Sequence, residues 1–311
     1  MPLVQINAGP AGLVPDPDAE TRLRTALHAL PKGAPVVILI HGFKFSPSHP
    51  ARSPHRHILA LDPASGCRKA LSWPRALGFG DDTADGLCIA FGWEASGSIW
   101  RAYGQAARTG AALARLIATI RHHSPGRQVD ILAHSLGARV TLAALPHLQA
   151  GALRHAILMA PAETRSQARA ALDTPAGRAA AFLTVASGEN TLYDLLLEWL
   201  VAPHRPGDRS LGQAGFTDRA NWLTLRIDST ATLQALRDLG FPVAAPERRI
   251  CHWSPYLRPG MFGLYTALLR ADFPLEHLRM RLPDTPQPRR SRRVARPRLP
   301  LPLPFAGKAP S

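Results

Sequence analysis

The chain carries only three cysteines in 311 residues, Cys67, Cys88 and Cys251. They are too few and too scattered for a disulfide framework or a zinc site, which points to a reducing compartment. It also lacks any apolar run near the ~18 residues that cross a bilayer; the longest candidate, LEWLV at 197–201, is far shorter. The first twenty residues, MPLVQINAGPAGLVPDPDAE, have no basic segment followed by an apolar core, as a secretory signal would. The expectation is a soluble, cytoplasmic protein. Acidic residues are scarce as well, 22 against 37 Lys and Arg, for a net charge of +15. Lysine is rarer still, limited to Lys32, Lys44, Lys69 and Lys308. Many of the arginines crowd the last residues (Arg289, Arg290, Arg292, Arg293, Arg296, Arg298). With abundant Ala and Pro, this reads as compositional bias rather than a nucleic-acid surface, so no obligatory nucleic-acid partner is expected. A weak anionic-surface contact through the tail is the most the charge implies.

What the chain does have is rhythm. Short apolar runs alternate with helical ones from Pro2 to about Leu282. Strands are expected at 3–7, 36–40, 87–93, 129–133, 155–160, 181–187 and 222–227, mostly as continuous apolar runs suited to strands covered on both faces. Helices are expected at 18–30, 98–121, 137–147, 163–172, 191–201, 230–238 and 260–271. In the longest of these, Ile99, Tyr103, Ala106, Gly110, Leu113, Ile117 and Ile120 recur on one face. The fold class is α/β: a mostly parallel central sheet with helices on both faces. One domain spans 1–282. Within it, residues 44–82 lack periodicity and read as an insertion or lid loop. Residues 283–311, rich in Pro and Arg, cannot build a core and read as a disordered basic tail.

The sharpest chemical signal is Ala133-His134-Ser135-Leu136-Gly137, set between the run VDILA and the helical stretch ARVTLAAL. A strand, a tight turn holding a serine and then a helix is a nucleophile elbow, which demands small residues two positions either side. A serine there could also serve merely as a helix N-cap. The elbow reading aims the Leu136 N–H at a developing oxyanion. His41-Gly42-Phe43 directly follows the strand VVILI, where the same architecture supplies a second oxyanion donor, here the Phe43 N–H.

A base should lie downstream. His252, in RICHWSP, sits in a loop after the last strand–helix pair, whereas His147 ends a helix and His155 begins a strand at its wrong end. The acid should leave the strand AFLTVAS in the loop Gly188-Glu189-Asn190-Thr191. Glu189 stands at the strand exit and is the choice; Asp194, one helical turn in, is the alternative, and Asp228 a more distant third. Asn190 reads as a cap of the following helix.

The set HGFKFSP, FGWEASGSIWRAYGQAARTGAALARLI, LAHSLGARV, AILMAPAE and HWSPY resembles the α/β-hydrolase superfamily over about residues 34–270. More narrowly it is similar to bacterial esterase/lipase-like hydrolases of unassigned substrate. The resemblance implies a Ser–His–acid triad with Ser135 and His252, an ester or acyl small-molecule substrate, and no metal or organic cofactor. The sequence departs from pattern at the acid, with Glu189-Asn190-Thr191 where an Asp is expected. The expected function is a serine hydrolase acting on an ester or thioester. The other reading is a catalytically impaired scaffold of the same fold whose basic tail touches anionic partners.

Overall fold

The computed structural model describes residues 3–64, 66–80, 85–201, 205, 207–213, 215–270 and 273–283. The tail expected at 283–311 lies, apart from Pro283, outside the described residues. Eight strands form one sheet: β1 (Leu3–Gly9), β2 (Gly12–Leu13), β3 (Val36–Ile40), β4 (Leu87–Trp93), β5 (Val129–His134), β6 (Leu153–Met159), β7 (Ala181–Ala186) and β8 (Trp222–Arg226). Their order is β2-β1-β4-β3-β5-β6-β7-β8, and only the β1–β2 hairpin is antiparallel. The α/β class, parallel sheet and helical cover read from the sequence are present. The two-residue β2 carries no sequence signal of its own.

The helices are α1 (Pro17–Ala29), α2 (Trp73–Ala76), α3 (Ile99–His123), α4 (Leu136–Ala144), α5 (Arg165–Leu172), α6 (Pro175–Ala179), α7 (Thr191–Leu200), α8 (Thr230–Asp238), α9 (Ser254–Leu257), α10 (Met261–Arg270) and α11 (Leu275–Arg281). Local chemistry starts them. Asp16 accepts from the Ala19 N–H at 2.9 Å with Pro17 in the first turn of α1, and Ser98 accepts from the Arg101 N–H at 3.2 Å at the head of α3.

Two apolar clusters sandwich the sheet. In β3, Val36, Ile38 and Ile40 face one cluster while Val37 and Leu39 face the other. This period-two alternation, with both faces dry, is why the strand reads as an unbroken apolar run. The first cluster holds α3 and α4, packed so closely that a Cβ on Gly110 would stand 2.5 Å from the carbonyl carbon of Ala143. That contact fixes the helix that follows the serine. The segment 44–82 does more than skirt the surface: Ile58, Leu59, Trp73, Leu77 and Phe79 are buried in the second cluster. No helix among the described residues is long and apolar enough to cross a membrane.

Candidate active site

Ser135 occupies the bend between β5 and α4 at φ 55°, ψ −121°. A side chain rarely adopts that conformation, and it persists because the surroundings over-determine it. The Ser135 N–H donates to the Met159 carbonyl at 2.9 Å, and its own carbonyl accepts from Ala138 and Ala162, both at 3.0 Å. These bonds fasten the backbone and leave the side chain out of the framework: Ser135 Oγ makes no hydrogen bond among the described residues. Crowding explains the glycines. A Cβ on Gly137 would sit 2.6 Å from the Ile40 carbonyl oxygen, and one on Gly42 would sit 2.8 Å from Ser135 Cβ. Gly137→Ala is therefore expected to cost about 1–3 kcal/mol by overpacking, read as a lower urea midpoint at unchanged slope.

The loop after β3 is held by His41. The Trp93 backbone N–H donates to His41 Nε2 at 3.0 Å, so the other ring nitrogen carries the proton and donates to the Gly42 carbonyl at 2.9 Å. The Trp93 indole N–H in turn donates to the His41 carbonyl at 2.9 Å. Burial holds His41 neutral, its pKa lowered to about 3, opposed weakly by the Gly42 bond. Within this clamp the Phe43 N–H has no partner among the described residues, and neither has the Leu136 N–H at the start of α4. Both expected oxyanion donors are thus unengaged. Beneath α4 runs a buried group that sequence reading missed. Tyr103 donates to Glu163 at 2.6 Å, Arg139 pairs with Glu163, and the Arg139 Nε donates to the Tyr103 carbonyl at 2.8 Å. It ties α3, α4 and the loop after β6 together around the bend.

His252 is brought to the same end of the sheet. His134, the residue before the serine, reaches the His252 carbonyl with Nε2 at 3.0 Å, and the two rings lie 4.6 Å apart. Burial keeps His134 neutral, with its pKa lowered to about 4, so it latches the loop without adding charge. The His252 ring also stacks on Tyr193 at 4.6 Å. Its pKa is well below the usual value, first because of burial, then because of His134 and Lys69. Lys69 itself lies 3.3 Å over the Trp253 ring.

The third partner differs from expectation. His252 Nδ1 donates to Asn190 Oδ1 at 2.6 Å, which leaves Nε2 without a proton and able to accept one. Asn190 also donates to Asp194, whose carboxylate accepts from Ser210 Oγ at 2.7 Å and Gln213 Nε2 at 3.1 Å. Burial raises the Asp194 pKa to about 6 despite these bonds. The residue chosen from sequence, Glu189, points elsewhere: its carboxylate pairs with the buried Arg258 and accepts from Ser187 Oγ at 3.0 Å. Asp228 is likewise committed, accepting from the Gly188 N–H and from Arg226, both at 2.8 Å. The alternative acid, Asp194, thus faces the histidine only through Asn190. Glu189→Ala is expected to strand a buried guanidinium and cost about 3–5 kcal/mol, while the folded fraction keeps its turnover. Thermal melts beside active-site titration check this, and a specific loss of turnover at unchanged stability would return Glu189 to the site.

No group of His, Cys, Asp and Glu among the described residues is arranged to hold a metal ion. Residues 17–167 match the model of a family described as "Alpha/beta hydrolase of unknown function (DUF900)". No curated protein matches the chain. Among solved structures, the chain is similar to the Bacillus licheniformis lipase BlEst2 in mature form, at 13% identity and TM-score 0.39, over 78% of this chain and 94% of that one. The propeptide form of the same lipase gives 13% identity and TM-score 0.38, and there this chain spans about half, 51%, of the other's length. The match over residues 17–167, just under half of the chain, and the mostly parallel eight-stranded sheet with its helical cover together support an α/β-hydrolase superfamily member.

Proposed function

We propose that the protein is a serine hydrolase that cleaves a carboxylic ester or thioester through an acyl-enzyme on Ser135. The observation that carries the proposal is the Ser135 backbone, held at φ 55° at the head of α4 with the Leu136 and Phe43 N–H groups unengaged beside it. Strain of this kind is kept where it serves a site.

In the reaction, His252 Nε2 removes the Ser135 hydroxyl proton as Oγ bonds to the substrate carbonyl carbon. The carbonyl electron pair moves onto oxygen, where the Phe43 and Leu136 N–H groups receive it. Each such donor contributes on the order of 3 kcal/mol to the transition state. As the intermediate collapses, the C–O or C–S bond breaks and the leaving group takes the proton from His252. Water then attacks the acyl-enzyme, giving its proton to His252, and Ser135 regains that proton as the acid departs. Asn190 is the orienting partner: it holds the Nδ1–H tautomer and offers its carbonyl dipole to the imidazolium, with Asp194 behind it.

Reaction with a fluorophosphonate is the direct test. The native protein should take up one probe per chain, and the modified peptide should be the one containing Ser135. Failure to label, or labelling at another residue, would refute the assignment and favour a non-catalytic scaffold.

A further inference from the structure

The helix whose head carries Asn190 leaves an outward face bare. In α7, Asp194 and Leu197 are buried, whereas Leu192, Leu196, Trp199 and Leu200 are exposed. The spacing of i, i+4, i+7 and i+8 puts these four on one stripe. Trp100, 60% exposed, donates its indole N–H to the Leu200 carbonyl, so a second indole adjoins the 48%-exposed Trp199. Five of the nine large hydrophobics exposed among the described residues fall in this one place, which separates it from the scattered apolar side chains any surface shows. Ile250, also exposed, stands two residues before His252, and the Cys251 N–H between them donates to the Glu189 carbonyl at 2.9 Å. The apolar row therefore runs from the loops that hold the base.

Charge decides what such a row suits. Neither carboxylate of α7 faces outward freely: Asp194 is buried, and Glu198 accepts from the Ser210 N–H at 2.7 Å and pairs with Arg209 at 3.3 Å. The exposed charges next to it in the chain are mostly arginines: Arg101 beside Trp100, Arg248 and Arg249 beside Ile250, and Arg205 beyond α7, against the single exposed carboxylate of Glu247. Indoles settle at the headgroup level of a bilayer, leucines just beneath, and guanidinium groups meet lipid phosphates. We infer that the outer face of α7, with Trp100 and Ile250, seats the protein on an anionic lipid surface, so that an acyl ester drawn from that surface arrives at Ser135. The seating stands apart from turnover; only its consequence for substrate rests on the acyl-transfer reading.

Vesicle flotation tests it with the full chain. The wild type should float with vesicles of mixed phosphatidylcholine and phosphatidylglycerol, and less with phosphatidylcholine alone. The double variant Leu196→Glu/Trp199→Glu, both exposed and outside the site, should lose binding by about tenfold or more. Its melting temperature and its hydrolysis of a water-soluble short-chain ester should be unchanged. If neither protein hydrolyses the ester but only the variant loses flotation, the acyl-transfer reading fails and the surface stands. The inference is overturned if the variant floats as well as the wild type, which would locate binding in another segment such as the basic tail. It is also overturned if the wild type floats with neither vesicle, as expected were the face reserved for a protein partner.

Discussion

Ser135→Ala is expected to lower kcat for a short-chain aryl ester by about 10⁴-fold or more, with stability nearly untouched. The two halves of this result have separate causes. The hydroxyl takes no part in holding the bend, whose N–H and carbonyl are fixed by Met159, Ala138 and Ala162. Losing Oγ therefore removes the nucleophile and no structural bond. Alanine keeps the backbone strain, because a Cβ at φ 55° is crowded whatever it carries. Ser135→Gly removes the Cβ and with it that crowding. It should be about as inactive as the alanine variant yet more stable than it by about 1 kcal/mol, the strain released exceeding the added backbone entropy of glycine. Kinetics and urea melts on the two variants together check both halves. A stability equal to or below that of Ser135→Ala would mean the bend is unstrained, and residual turnover near wild type would mean the chemistry occurs elsewhere.

The central architecture was legible because its signals are local. Val36–Ile40 and Val129–His134 bury both faces and so announce themselves as short apolar blocks. The close approach of the Ser135 bend to the loop after β3 demands small residues, which the sequence registers as Gly137, crowded by Ile40 and His41, and Gly42, crowded by His134 and Ser135. The third partner of His252 was illegible for a geometric reason. Residues 188–190 form a single 3₁₀ turn, capped by Ser187, whose successive side chains diverge by about 120°. Glu189 and Asn190 are neighbours in the chain yet leave in different directions. Which one meets His252 depends on Arg258, sixty-nine positions away from Glu189, drawing that carboxylate aside. The core contribution of 44–82 was hidden similarly. It comes from isolated residues on short turns, such as Ile58 and Trp73, and single anchors leave no period to read.

The strongest test of that third partner is the pair Asn190 and Asp194. Removing the acceptor by Asn190→Ala should lower kcat by on the order of 10²-fold, since nothing then holds the Nδ1–H tautomer or the ring against Tyr193. Asn190→Asp should retain turnover or raise it, because a carboxylate in the same place stabilises the imidazolium directly. Asp194 acts only through Asn190, and its signature is a pH dependence. With a pKa raised to about 6 by burial, Asp194 is ionised at neutral pH and takes up a proton as the pH falls through 6. Protonation weakens its hold on the Asn190 amide, so kcat/KM of the wild type should decline below about pH 6. The His252 pKa lies well below the ordinary value and would place its own limb at more acid pH. In Asp194→Asn an amide donor confronts the amide of Asn190, which can then turn its NH2 toward Nδ1 and favour the tautomer that cannot accept the Ser135 proton. That variant should lose at least about tenfold in kcat and with it the inflection near pH 6. A purely structural Asp194 would instead lower stability and leave the inflection in place.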